Sequence, residues 1–461
     1  MNRQENPVGL DDVFFSTTDD KGRITLANKV FVRLSKYPLE ELVGAPHNIV
    51  RHPDMPAGVF RVMWDALEAE RPFAGFVRNR SADGSPYEVL ATVTPLPAGG
   101  YLSVRTRPMT EAADRAFALY AEAREQERAA EHAGRTRREA ARDTAAALPE
   151  ALGAESYERF QWGLLPAELA AREAAGAALP DAPAESGAAN GAADGGTGTG
   201  SPDAAVTAKA AAAEMIAALH RAHDLLGDWT RGQEETGALT EELSGLTARV
   251  SEAAGAGERV RAAADELDLT GPQRTLLLAP LQIWANMHGI VGGYLEELSG
   301  LIERVDRASR EALFSLALVR LQTAAAGTFA VEPGAADSPE SLTALCTALK
   351  AGIDSLDEQV TREERLVTRL NSKAGSVARI MEPVQGMIAG WLDDTDVEHL
   401  TGGARELVET VSAAAEETRA AAAQLTAASG SLSALARPDV AELRHLVAEV
   451  EDALQRATRG W

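Results

Sequence analysis

The chain has 461 residues, a formal net charge of −24 and a single cysteine, Cys346. That length accommodates two or three domains without disulfide support, and one thiol excludes an internal disulfide framework and any CxxC metal or redox pair, which fits a reducing cytoplasm. Residues 1–108 hold 13 Lys+Arg and 13 Asp+Glu, so the whole negative charge lies beyond them, which argues against nucleic acid and anionic membrane as main partners.

The opening residues (MNRQENPVGLDD) carry no apolar run, and no secretory signal is expected. Strand-like runs follow at 12–18 (DVFFSTT) and 23–27 (RITLA), then short helical pieces around 28–35 and 39–42. Arg51-His52-Pro53-Asp54-Met55-Pro56 comes next. Each proline fixes its own φ and biases the preceding residue toward extended geometry, so this polar loop is stiff. The second proline stands where a helix can begin, and 57–68 (AGVFRVMWDALE) reads as that helix. Two readings stay open for the segment: the wall of a site for a planar ligand, or plain structure, with Asp54 capping the helix and Trp64 in the core. Three more strands are expected at 73–80, 86–95 and 100–107, separated by Asp83-Gly84 and Gly99-Gly100 turn signals. Two strands, a helical middle and three strands describe an α+β half-barrel sheet enclosing one pocket under its helices.

From about 109 one charged helix is expected to run to about 145, with a shorter one within 150–178. Residues 179–205 have linker composition. Their Gly195–Gly200 run follows no strand and lacks the Lys-Ser/Thr of a P-loop. The remainder, 206–461, reads as a helical bundle or coiled coil, with heptad spacing at Leu239, Leu243, Leu246 and Val250 and helix starts at Gly271-Pro272, Ser338-Pro339 and Asp439. Its most apolar stretches, 276–294 and 312–331, are interrupted by Pro280, Gln282, Asn286, His288, Arg320 and Gln322, so no transmembrane span is expected. Four segments result: 1–108, a connector at 109–178, the linker at 179–205, and 206–461.

Residues 1–108 resemble the PAS domain of bacterial aerotaxis receptors. The resemblance rests on Ser16-Thr17-Thr18-Asp19, Ile24-Thr25-Leu26-Ala27-Asn28, Tyr37–Leu42, Gly44-Ala45-Pro46-His47-Asn48, Val50–Pro56, Met63-Trp64, Val77–Arg80, Asp83-Gly84 and Leu102–Arg107, in order and nearly without gaps. It implies noncovalent FAD between sheet and helices, with flavin-site positions falling on Asn28, Arg51, His52, Asp54, Trp64 and Asn79. Trp64 offers a face for a ring system, Arg51 and His52 suit phosphates or brace the loop, and Asn79 can present either amide end. Tyr87 is a weaker candidate, as an aromatic on a strand is usually core. An amide facing flavin N5 would turn over on reduction, and that change would pass through Arg105 and Arg107 to the helix after 108.

The implied function is a cytoplasmic, non-enzymatic FAD sensor of redox state or oxygen that signals through its helices to a protein partner, as a homodimer. The rival readings are a haem or other small-ligand module, with His47 or His52 as axial ligand, and an unliganded dimerising scaffold. Against the receptor pattern, no membrane anchor or hairpin-tip segment is recognisable, although 309–331 resembles degenerate relatives. Ser412–Ala421 fits a receptor methylation pattern around Glu416 and Glu417, and equally an ordinary Ala-rich helix face. His220 and His223 stand at i, i+3 without a third metal ligand, and Trp229, Trp284 and Trp391 read as bundle core.

Overall fold

The computed structural model describes residues 6–181, 202–265, 271–331, 339–394, 402–435 and 439–459. The linker's Gly-rich run and most of 179–205 lie outside them. Two compact units divide the chain: Met1–Thr230 with Leu313–Asp357 and Pro438–Trp461, and Arg231–Ala312 with Glu358–Arg437.

In the first unit, strands β1 (Phe14–Thr18), β2 (Ile24–Ala27), β3 (Phe73–Arg80), β4 (Pro86–Pro95) and β5 (Tyr101–Thr106) form one sheet. Its order is β2-β1-β5-β4-β3, and every pair is antiparallel. The helical middle, α1 (Lys29–Ser35), α2 (Leu39–Leu42), a 3₁₀ turn (His47–Val50) and α3 (Ala57–Glu68), crosses one face. The core there joins Phe14, Ile24, Phe31, Leu34, Leu42 and Val50 to Tyr87, Val89 and Ala91. In this N-terminal α+β domain the strand periodicity and turn residues agree with the architecture.

The expected helix from 109 to 145 is instead two helices, α4 (Ala112–His132) and α5 (Arg137–Ala151). Gly134 takes φ +89°, a left-handed conformation that stops α4. Thr136 and Glu139 then form a reciprocal capping box that starts α5. These two helices and α6 (Tyr157–Ala174) pack directly on the sheet and α3. Phe117 of α4 meets Phe76 at 5.9 Å between ring centres. Along the exposed edge of β3, α6 acts as a cover: Gln161 accepts from Ala74 N–H and donates to Pro72 O, while Tyr157 donates to Ala74 O. An edge so covered cannot pair with another strand.

The remaining helices are α7 (Pro202–Asp265), α8 (Gly271–Ala330), α9 (Pro339–Asp394), α10 (Gly403–Ala434) and α11 (Val440–Arg459). Asp439 caps the last of them by accepting from Glu442 N–H. The second unit is a helical bundle whose core joins Leu243, Leu246 and Val250 to Leu298, Val305, Leu370, Val377 and Leu425. Partly buried Leu239 packs against it, completing the heptad face. Among the described residues one stretch, Ile290–Ala330, is long and apolar enough to cross a membrane, yet 78% of its most apolar window is buried within the protein, as in a core helix.

Candidate functional site

A cavity of about 230 Å³ lies between the sheet and α3. Strand alternation sends Asn79 of β3, Ala91 and Val93 of β4, and Ser103 and Arg105 of β5 into it. From the other side α3 contributes Phe60, Met63 and Trp64, one turn apart along the helix, and the preceding loop contributes His47 and Arg51. Trp64 is half-buried and meets Tyr101 edge-on at 5.6 Å. The Arg51 guanidinium lies 3.9 Å from the centre of the Phe60 ring and donates to Met55 O at 3.2 Å. Burial first, and the nearby Arg137 next, lower its pKa to about 10.

The inner wall is unusually polar for a buried surface. Asn79 is 3% exposed, and its Nδ2 has no hydrogen-bond partner; Ser103 Oγ is likewise buried and unpartnered. Each such group costs about 1–3 kcal/mol unless something satisfies it. Arg105 is 4% exposed, and among the described residues no carboxylate lies within ion-pair distance of it. Its guanidinium donates to Ser16 Oγ at 3.2 Å and to His47 Nε2 at 2.6 Å, and lies 5.2 Å from the Phe31 ring centre. Burial lowers its pKa to about 10, still charged at neutral pH. His47 stacks on Phe31 at 5.7 Å, and burial followed by the Arg105 charge holds its pKa well below the usual histidine range.

Because the folded imidazole stays neutral, its contribution to stability is complete above the ordinary histidine pKa of about 6.5 and declines as pH falls below it. The unfolded chain takes up a proton there that the folded one refuses. Thermal melts of His47→Gln are expected to lose less between about pH 6.5 and 5 than melts of the parent; parallel curves would remove His47 as the cause.

Of the six residues assigned through the resemblance, Arg51, Trp64 and Asn79 meet at this cavity. Asn28, His52 and Asp54 do not line it. Asn28 is the N-cap of α1: its Oδ1 accepts from Phe31 and Phe15 N–H, and its Nδ2 donates to Val13 O. His52 and Asp54 open instead on a separate cleft of about 700 Å³, with Arg78, Tyr87 and Arg107. There His52 Nδ1 accepts from Asp54 N–H, and Asp54 pairs with Arg128 of α4 at 2.9 Å. That hydrogen bond from Arg128 lowers the Asp54 pKa. Asp54 therefore does not cap α3, contrary to the structural reading of the sequence. Tyr87 is core, as expected of an aromatic on a strand.

Among the cavity residues that the resemblance did not assign as ligand contacts are His47, Ser103 and Arg105. They lie within segments that carry the resemblance, Gly44–Asn48 and Leu102–Arg107, but residue type alone did not mark them as cavity-facing. Elsewhere, Glu416 and Glu417 are exposed on α10, with Glu417 3.6 Å from Arg249. His220 donates to Pro180 O, and no group of three or more metal-ligating side chains occurs among the described residues. Trp229 and Trp391 are buried.

Comparison with known proteins bears on the N-terminal domain. The PAS fold matches residues 10–106. The aerotaxis receptor of Escherichia coli (strain K12) is 44% identical over 115 residues, 24% of this chain and 23% of the receptor. A nitrogen fixation regulatory protein of Klebsiella pneumoniae is 31% identical over 84 residues, 18% of this chain and 17% of that protein. The chain thus spans under a quarter of the length of these curated relatives. Among solved structures, a PAS domain from Colwellia psychrerythraea is 22% identical, covering 21% of this chain and 85% of its own, with a TM-score of 0.20. With the matched residues forming the five-stranded sheet and its covering helices, the segment 10–106 of this chain is a PAS domain.

Proposed function

We propose that this protein is a non-enzymatic sensor whose PAS cavity binds FAD and whose helices report redox state or oxygen to a protein partner. The observation that carries the reading is the cavity's polar wall: Asn79 Nδ2 and Ser103 Oγ lack partners, and Arg105 lacks a carboxylate. A volume of about 230 Å³ lies just below the roughly 300–1,000 Å³ typical of small-molecule sites. It suits a flat ring system, with the rest of a larger ligand outside. Lys21 and Arg51, both lining the cavity, are the cations available to a pyrophosphate.

Bound flavin would supply redox chemistry in which N5 accepts a hydrogen bond when oxidised and carries a proton when reduced. The Asn79 amide has a donor end and an acceptor end, so a change at its partner turns it over. Arg105 can hold negative charge on the ligand, and the apolar faces of Phe60, Met63 and Trp64 exclude water from it. The haem reading is less well supported. His47 Nε2 is engaged by Arg105, and His52 does not line the cavity. A cytoplasmic location and a homodimer belong to the same proposal.

The test is purification of the full chain with extraction and identification of its chromophore, followed by the same measurement on Asn79→Leu. The parent is expected to carry flavin; the variant should lose it, or keep it without redox-dependent signalling. A colourless parent after flavin-supplemented preparation, or an Asn79→Leu protein unchanged in both properties, would overturn the reading.

A further inference from the structure

We infer that α4 reads the state of the cavity wall through Glu127, a buried carboxylate that grips the first turn of α3. The inference rests on the presence of a cavity beside α3, and not on which ligand fills it. A helix leaves its first N–H groups without intrahelical acceptors. The N-cap of α3 is Pro56, which has no side-chain acceptor to offer, and Asp54 is drawn away to Arg128. Glu127, 1% exposed and 69 to 70 residues away in sequence, supplies both: Oε2 accepts from Ala57 N–H at 2.8 Å and Oε1 from Gly58 N–H at 2.9 Å. A carboxylate at a helix N-terminus is favoured by the helix dipole as well as by these bonds.

The grip extends along the loop. Arg124, which pairs with Glu127 at 3.1 Å, also donates to Pro53 O, and Arg128 holds Asp54. Three residues of α4, one helical turn from first to last, thus fasten the loop between Pro53 and Gly58. Residues on either side of that segment line the cavity: Arg51 before it and Phe60 after it, in contact at 3.9 Å, and Arg51 donates to Met55 O within it. A shift of Phe60 that tilts α3 must move Ala57 and Gly58, whose N–H groups are bonded to α4. Glu127 is buried, so leaving either oxygen unmet is costly, and α4 follows rather than lets go. This route is distinct from one along β5 through Arg105 and Arg107.

Amide hydrogen exchange on the full chain decides it, comparing the parent, Phe60→Ala, Glu127→Gln and the double variant, each with and without added FAD. Glu127→Gln is expected to speed exchange at Ala57 and Gly58 by roughly 10- to 100-fold, the loss appropriate to bonds with a charged acceptor. Phe60→Ala should loosen residues 120–131 of α4 in the parent and leave them unchanged once Glu127 is Gln. Glu168→Gln is the control. That carboxylate is equally buried but holds Met109 and Thr110, in the connection between β5 and α4, and its loss should leave transmission intact. If α4 responds to Phe60→Ala equally with and without Glu127, or if Glu168→Gln abolishes the response, the inference is wrong. Were Glu127→Gln unable to fold, Glu127→Asp, which keeps the charge but withdraws it by one methylene, carries the same comparison. A response to Phe60→Ala that needs Glu127, together with no response to FAD, would sink the flavin reading and leave the clamp standing.

Discussion

Arg105→Leu is expected to leave the ligand-free protein as stable as the parent or firmer, while weakening flavin binding by about 10- to 100-fold. The two effects have opposite signs because Arg105 is a buried cation without a buried anion. Without ligand its guanidinium has only neutral acceptors, Ser16 Oγ and His47 Nε2, and two ring faces, Phe14 and Phe31. Removing it strands neither acceptor, since Ser16 Oγ and His47 Nε2 lie 3.3 Å apart and can bond each other. Replacing buried ionic groups by apolar ones of similar volume is commonly neutral or stabilising, by about 1–4 kcal/mol. A ligand with negative charge, by contrast, loses a charge-assisted contact in a dry site. Thermal melts of the ligand-free protein and equilibrium dialysis with FAD separate the two. A variant that unfolds more easily while binding flavin as before would make Arg105 a structural residue.

Arg105 also shows why part of the site was hidden in the sequence. In β5 the apolar residues Leu102 and Val104 alternate with Tyr101, Ser103 and Arg105, and the ordinary rule sends the apolar set to the core. Here both sheet faces are covered. Phe15 of β1 packs edge-on against Phe329 of α8 at 5.2 Å, and Thr94 bonds Gln322, so the outer face is buried too. Alternation then fixes the strand but does not say which side faces a ligand. The strands themselves were legible because Asp83-Gly84 and Gly99-Gly100 bound them and their periods are regular. Arg51, Trp64 and Asn79 were legible through a collinear resemblance, which also brought in Asn28, whose amide is spent on helix capping. The break between α4 and α5 was present locally, in Gly134 and the Thr136–Glu139 pair, but lay within an unbroken Ala/Arg/Glu composition. Glu127 could not be read at all, for the helix it caps lies some seventy residues upstream.

Gly58→Ala is expected to destabilise the protein by about 1–3 kcal/mol, the usual cost of overfilling a packed contact. The loss should be concentrated where α5 meets α3. A Cβ at position 58 would stand 2.6 Å from Thr144 Cβ and 2.8 Å from Ala145 N, closer than such atoms approach. The contact with Thr144 is with a side chain, but Ala145 N is backbone. Thr144→Ala removes Cγ2 and keeps Cβ, so it should recover only part of the loss; a complete rescue would mean that backbone approach is not the constraint. Gly58 N–H is also one of the two donors to Glu127, so displacing this turn strains the α3–α4 junction together with the α3–α5 one. Hydrogen exchange should therefore rise through 137–151 and at residues 57 and 58, with the strands from Phe14 to Thr106 unchanged. Uniform loss across the sheet would instead mean that the helices after residue 108 and the PAS domain unfold as one cooperative unit, with no boundary between sensor and connector.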